Sequence, residues 1–209
     1  MSRQFSIKGL YAVTPDEIDT KALCSKVEAS LLGGVKLLQY RNKVANADLR
    51  LQQASALLAL CRKHNVPLII NDHLDLCTEI DADGLHLGAT DCDLGASRRL
   101  LGADKIIGAS CYNQINFAHK AQSEGASYVA FGACFPTNTK SNTVNAPLSL
   151  FAEAKNSVKI PIVAIGGITL ENAGSLKKAG ADAIAVVNAL FNAKDIKNMA
   201  QQLTENFKS

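Results

Sequence analysis

Eight short apolar runs, none of which alternates, constrain this chain more than any other feature. They cover residues 9–13, 35–39, 68–71, 84–87, 105–109, 128–132, 160–165 and 183–187. A strand with one face in water alternates apolar and polar residues. A continuous run signals a strand covered on both faces, as in a parallel sheet. Helical segments separate the runs. The clearest places Ala47, Leu51, Ala54, Leu58 and Cys61 at intervals of four, three, four and three, which draws one apolar stripe along a helix.

A weak repeat supports the same plan. Gly33-Gly34, Ala82-Asp83, Gly125-Ala126 and Gly180-Ala181 stand just before the second, fourth, sixth and eighth runs. Glycine at such a point ends the preceding helix in a left-handed turn and releases the chain into the next strand. Eight β/α units in 209 residues predict an α/β protein, a (β/α)8 TIM barrel formed as a single domain over residues 1–209. The rival arrangement is a doubly wound open sheet.

Bulk composition narrows the function classes. The chain is 47% hydrophobic and 20% charged, which is globular, and its net charge of +3 is too mild to argue for a nucleic-acid partner. No apolar stretch reaches the roughly 18 residues of a membrane span. The first residues show no signal-like apolar region, so a cytoplasmic location is expected. Six cysteines, at 24, 61, 77, 92, 111 and 134, form no CxxC pair and fit no zinc spacing. They read as reduced structural thiols.

In a barrel of this kind chemistry gathers where the strands end. The second run ends in Gln39-Tyr40-Arg41-Asn42-Lys43 and the third in Asn71-Asp72-His73. The fourth is followed by Asp91, and the fifth by Ser110. The sixth runs into Phe135-Pro136-Thr137-Asn138-Thr139-Lys140, the seventh ends in Gly166-Gly167 and the eighth in Val187-Asn188. Asp72 and Asp91 are a carboxylate pair suited to Mg²⁺, which completes its shell with water and phosphate oxygens. Their alternative role is helix capping, a task that Asp75 and Asp93 are expected to take. Arg41, Lys43 and Lys140 supply cations. Glycines at the seventh strand let backbone N–H groups approach a phosphate. The residues therefore provide for two anionic groups, one of them metal-bound. His86 lies inside an apolar run and reads first as a hydrogen-bonded core residue.

The ordered set from Gln39-Tyr40-Arg41-Asn42-Lys43 through Asn71-Asp72, His86, Asp91, Ser110, the 135–140 loop, Gly166-Gly167 and Val187-Asn188 resembles the thiamine phosphate synthase family. That resemblance implies a (β/α)8 barrel. It implies a transferase that joins a hydroxymethylpyrimidine diphosphate to a thiazole phosphate, or its carboxylated form, and releases pyrophosphate. By position, Gln39, Tyr40, Arg41, Asn42, Lys43, Asn71, Ser110 and Lys140 would bind the pyrimidine diphosphate. Thr137, Asn138, Thr139, Gly167, Val187 and Asn188 would bind the thiazole phosphate. Asp72 and Asp91 would hold one Mg²⁺. Arg41, Lys43, Ser110 and Lys140 would act in catalysis. Small phosphorylated molecules are the implied partners, and a homo-oligomer is compatible with the pattern.

Three positions depart from the family's usual residues: Asn42 stands for Glu, Ala89 for Gln and Asn188 for Ser. Rival readings are a thiazole tautomerase-like isomerase, a non-catalytic regulator that binds thiazole or thiamine phosphate, and a sugar-phosphate barrel enzyme. Asp72, Asp91 and Lys140 count against the isomerase, the departures at Asn42 and Ala89 are the only support for the regulator, and the 135–140 loop with the carboxylate pair counts against the sugar-phosphate enzyme.

Overall fold

A computed structural model describes residues 5–88, 93–136 and 144–208. Its strands are β1 (Gly9–Val13), β2 (Leu37–Tyr40), β3 (Leu68–Asn71), β4 (Gly84–Leu87), β5 (Ile106–Tyr112), β6 (Tyr128–Phe131), β7 (Ile162–Ile165) and β8 (Ala183–Val186). They close into one parallel barrel in sequence order, with β8 beside β1. The helices between them are α1 (Thr20–Leu32), α2 (Ala47–His64), α3 (Leu74–Glu79), α4 (Leu94–Leu101), α5 (Ile115–Ser123), α6 (Leu148–Ser157) and α7 (Leu170–Ala179). The chain ends with α8 (Asn188–Phe191) and α9 (Ile196–Lys208). The open-sheet alternative is thereby excluded. No helix among the described residues is long and apolar enough to cross a membrane.

The continuous apolar runs have the expected cause, since each strand feeds two cores. Tyr11, Leu37, Ile69, Ile106, Tyr128 and Val163 fill the barrel interior. Their neighbours Leu10, Leu38, Ile70, Ile107, Val129 and Ile162 pack outward against the helices. Strand limits differ slightly from the expected ones. β2 begins two residues later, at Leu37, and β7 begins at Ile162, after Pro161. β5 runs on to Tyr112 through a register irregularity after Ser110.

The stripe expected on α2 holds only in part. Ala54, Leu58 and Cys61 are buried, but Ala47 and Leu51 are exposed and Gln53 is buried in their place. The reason is polar: the Gln53 amide accepts from the Tyr40 hydroxyl and donates to the Glu17 carbonyl. Capping also differs. Asp93 caps α4 through the Ala96 N–H, as expected. Asp75 lies in the first turn of α3 and makes no side-chain cap, because His73 is the N-cap residue there.

Three of the four repeats, those before β4, β6 and β8, carry a clasp at the lower end of the barrel. The residue before β4, Asp83, accepts the Leu68 N–H of β3 at 2.9 Å. The residue before β6, Ser127, accepts the Ile107 N–H of β5 at 3.1 Å. The residue before β8, Asp182, accepts the Ile162 N–H of β7 at 2.9 Å. In each case one side chain ties an even strand to the odd strand beside it. The turns leading in are left-handed at Gly34, Gly125 and Gly180, and Asp81 takes that conformation where the repeat before β4 has no glycine.

Arg98 braces this lower rim. It donates to the carbonyls of Gly125, Gly102 and Lys105 and to the Ser127 hydroxyl, at 2.7 to 3.0 Å. Arg98→Ala is expected to cost about 2 kcal/mol, because several partly buried acceptors lose their donor together. Urea unfolding should show a lower midpoint with an unchanged slope. A midpoint equal to that of the parent would mean that these bonds add nothing net.

Candidate active site

At the upper end of β3, Asn71 and Asp72 form a fixed unit. The Asp72 N–H donates to the His86 carbonyl at 2.9 Å, and Asn71 Nδ2 donates to Asp72 Oδ2 at 2.6 Å. Asp72 has φ of +62°, a left-handed conformation that costs an L-residue energy and persists only where its surroundings impose it. Here the bond to β4 and the Asn71 amide impose it, and together they set where the carboxylate stands. Such a hard oxygen donor suits Mg²⁺. Its proposed partner Asp91 lies outside the described residues, as do Ala89, Thr137, Asn138, Thr139 and Lys140. Among the described residues no three His, Cys, Asp or Glu side chains converge as a metal cluster.

The end of β2 divides by strand parity. Gln39 belongs to the inward set and is buried, donating through Nε2 to the Tyr11 hydroxyl at 2.9 Å. Arg41 is clamped by the residue that follows β1: Thr14 Oγ accepts its N–H and donates to its carbonyl. Its guanidinium lies 3.6 Å from Asp16, and the same carboxylate oxygen accepts the Lys43 N–H at 2.8 Å. Thr14 and Asp16 thus organise the cationic loop, and neither was singled out in the sequence. The only available signal was their position just past the end of the first apolar run.

The side chains of Tyr40 and Asn42 turn the other way. The Tyr40 hydroxyl donates to Gln53 on α2 at 2.8 Å. Asn42 Nδ2 donates to the Glu17 carbonyl and to Gln53, and its Oδ1 accepts the N–H groups of Val44 and Ala45. The structure therefore does not bring these two side chains together with Gln39 and Arg41. Asn42 is a saturated loop brace, and the charge facing Arg41 comes from Asp16.

Ser110, on β5, meets His86, on β4: His86 Nε2 and Ser110 Oγ are 2.9 Å apart. The other ring nitrogen, Nδ1, is 2.8 Å from the Tyr128 hydroxyl, which is 2.8 Å from the Tyr11 hydroxyl. The imidazole also stacks on the Tyr128 ring, 5.6 Å between centroids. His86 is the core histidine that its apolar run suggested, and its hydrogen bonds run between site residues. Tyr11 and Tyr128 escaped notice because each sits inside an apolar run.

β6 and β7 deliver the remaining rim. Cys134 and Phe135 donate their N–H groups to the carbonyls of Ile165 and Gly166, so the loop after β6 lies on the loop after β7. Gly167 has φ of +65°, and a Cβ there would stand 2.5 Å from the Pro136 carbonyl oxygen. Only glycine allows that approach. Asn172 donates to the Gly167 carbonyl at 3.0 Å and closes the α7 capping box with Thr169. Val187 precedes α8 as its N-cap, and Asn188 opens that helix. Gly167, Val187 and Asn188 thus share the adjoining mouths of β7 and β8. The buried cysteines are not candidates for nucleophiles. Burial pushes the Cys77 thiol up to about 11 and those of Cys111 and Cys134 up to about 12.

Residues 10–190 match the family described as thiamine monophosphate synthase. A thiamine-phosphate synthase of Methylobacillus flagellatus is 54% identical over 201 residues, 96% of each chain. One of Nitrosomonas eutropha is 51% identical over 204 residues, 98% of this chain and 96% of the relative. The solved thiamine phosphate pyrophosphorylase of Pyrococcus furiosus superposes with a TM-score of 0.84 at 31% identity, covering 96% of this chain and 95% of that one. A closed parallel barrel with its polar groups at the strand ends, so related, is a (β/α)8-barrel transferase. The chain belongs to the thiamine phosphate synthase family and has its function in thiamine biosynthesis.

Proposed function

We propose that the chain joins hydroxymethylpyrimidine diphosphate to thiazole phosphate, or its carboxylated form, with release of pyrophosphate and Mg²⁺ as the metal. The observation that carries this reading is the shared rim. Gln39, Arg41, Asn71, Asp72 and Ser110 line the mouths of β2, β3 and β5, while Gly167, Val187 and Asn188 line those of β7 and β8. Cations and hydroxyl donors on one side suit a diphosphate. Glycine and the start of a helix on the other suit a monophosphate.

Bond breaking comes first in this reading. The methylene carbon–oxygen bond cleaves, and pyrophosphate leaves with the electron pair. The thiazole nitrogen lone pair then forms the new bond to the pyrimidine-methyl cation. Arg41, Lys43 and Lys140 would offset the growing negative charge on the leaving group, and Ser110 would add a hydroxyl donor. Fixed charges and dipoles aimed at developing charge are the largest source of catalysis in such a step. Asp72 and Asp91 would hold Mg²⁺, which when bound neutralises diphosphate charge. Gln39 and Asn71 orient the pyrimidine side, while Tyr40 and Asn42 act through the loop they brace. Thr137, Asn138 and Thr139, with Gly167, Val187 and Asn188, would bind the thiazole phosphate.

The direct test supplies both substrates and Mg²⁺ and follows thiamine phosphate. Product that disappears with EDTA and returns with Mg²⁺ is expected. A folded protein that forms no product would sink the reading.

A further inference from the structure

A single hydrogen-bonded chain runs through the upper barrel from Gln39 to Ser110 by way of Tyr11, Tyr128 and His86, with four links of 2.8 to 2.9 Å. Both ends are residues of the proposed diphosphate site. The middle is sealed, since Tyr11 is 2% exposed and Tyr128 is 0% exposed. A buried hydroxyl must place its proton on an acceptor or leave it unsatisfied, and that requirement gives the chain a direction.

The direction follows from counting protons. Gln39 donates through Nε2 to the Tyr11 oxygen. Among the described residues, the other partner of the Tyr11 hydroxyl is Tyr128, so the Tyr11 proton goes to the Tyr128 oxygen. The Tyr128 proton then goes to His86 Nδ1. With Nδ1 accepting, the neutral imidazole carries its proton on Nε2 and donates it to Ser110 Oγ. The serine oxygen is thereby an acceptor toward His86, and its own proton is left for a ligand oxygen. With the Gln39 amide set so that Nε2 faces Tyr11, the reverse order would send two donors to Tyr11 and strand its proton inside the barrel. Burial also holds both phenols in the protonated form, far above their ordinary range.

We propose that Tyr11, Tyr128 and His86 are positioning residues that fix Ser110 as a one-way hydrogen-bond donor to an anionic oxygen of the substrate. The identity of that oxygen rests on the diphosphate site proposed above; the direction of the chain does not. The His86–Tyr128 stack and the close fit of Tyr128 over Gly108 hold the geometry.

Two measurements test it. The first uses the unmodified protein with ¹⁵N-labelled histidine, the His86 signals being assigned by their loss in His86→Gln. The expected state at neutral pH is a neutral ring with the proton on Nε2 and a bare Nδ1. A proton on Nδ1, or an imidazolium, overturns the proposal, because Ser110 would then be donating to His86 or the chain would run from both ends. This reading of direction needs no turnover, so it stands apart from any failure of the proposed reaction.

The second is a double-mutant cycle. Tyr128→Phe keeps the ring and removes the link, and should lower kcat/KM for the diphosphate substrate about tenfold, the effect of one hydrogen bond in a closed site. On a Ser110→Ala background the same change should alter kcat/KM less than about twofold, since its effect passes through the serine. Equal losses on both backgrounds would show that Tyr128 acts on its own or through stability, and would also overturn the proposal.

Discussion

Asp72→Asn is expected to lower Mg²⁺-dependent turnover by more than about 100-fold while leaving the melting temperature within a few degrees of the parent. Losing an outer partner of a metal ligand typically costs 10- to 100-fold, and a ligand itself should cost more. Asparagine is the informative replacement. It tolerates the left-handed conformation at φ +62° nearly as well as aspartate, so the turn survives and only the charge is removed. Alanine would confound lost charge with backbone strain. Steady-state assays over a Mg²⁺ series, with circular dichroism as the check on folding, read the result. Turnover within about threefold of the parent would show that Asp72 is a turn residue and that the metal lies elsewhere.

Gly108→Ala is expected to be among the most damaging single-methyl changes in the barrel. A Cβ there would stand 2.5 Å from Tyr128 Cε1 and would overlap Cζ and Oη of the same ring. Tyr128 cannot step aside, because it lies edge-on to Tyr11 and stacks on His86 inside the barrel. Overpacking of a closed core costs about 3 kcal/mol, which for a chain of this size lowers the melting temperature by about 10 °C. Thermal melts give the first reading. Tyr128→Leu on the Gly108→Ala background should recover part of the loss by making room for the methyl group. A melting temperature within about 2 °C of the parent for Gly108→Ala alone would mean that the ring has another place to go.

The architecture was legible because its signal is redundant. Eight runs without alternation, separated by helical segments, admit few arrangements other than parallel strands covered on both faces. Gly34, Gly125 and Gly180 fell where left-handed turns were expected. Within the site, legibility depended on strand parity. Leu37 faces the barrel interior and Leu38 the helices, so Gln39 falls inward and Tyr40 outward. Within 39–43 the side chains therefore divide, and those of Tyr40 and Asn42 turn to Gln53 on α2.

Tyr11 and Tyr128 show the opposite difficulty. Each is one letter in an apolar run, and nothing local reveals that strands 117 residues apart bring their hydroxyls together. What could have raised the question is chemical: a phenol inside a covered strand needs a partner for its O–H. Asp16 was hidden for a similar reason. Its role is to hold Arg41 and the Lys43 backbone across a gap of more than twenty residues, which no spacing rule captures.

The clasps formed by Asp83, Ser127 and Asp182 have a consequence for how this protein can change. They sit where strands begin, whereas Asp72, Ser110 and Gly167 sit where strands end, and a four-residue strand spans roughly 13 Å. Substitutions farther apart than about 10 Å usually combine additively. The chain thus keeps what it stands on and what it acts with in separate accounts of sequence. New reactivity at one rim can be tried out while the other rim goes on closing the barrel.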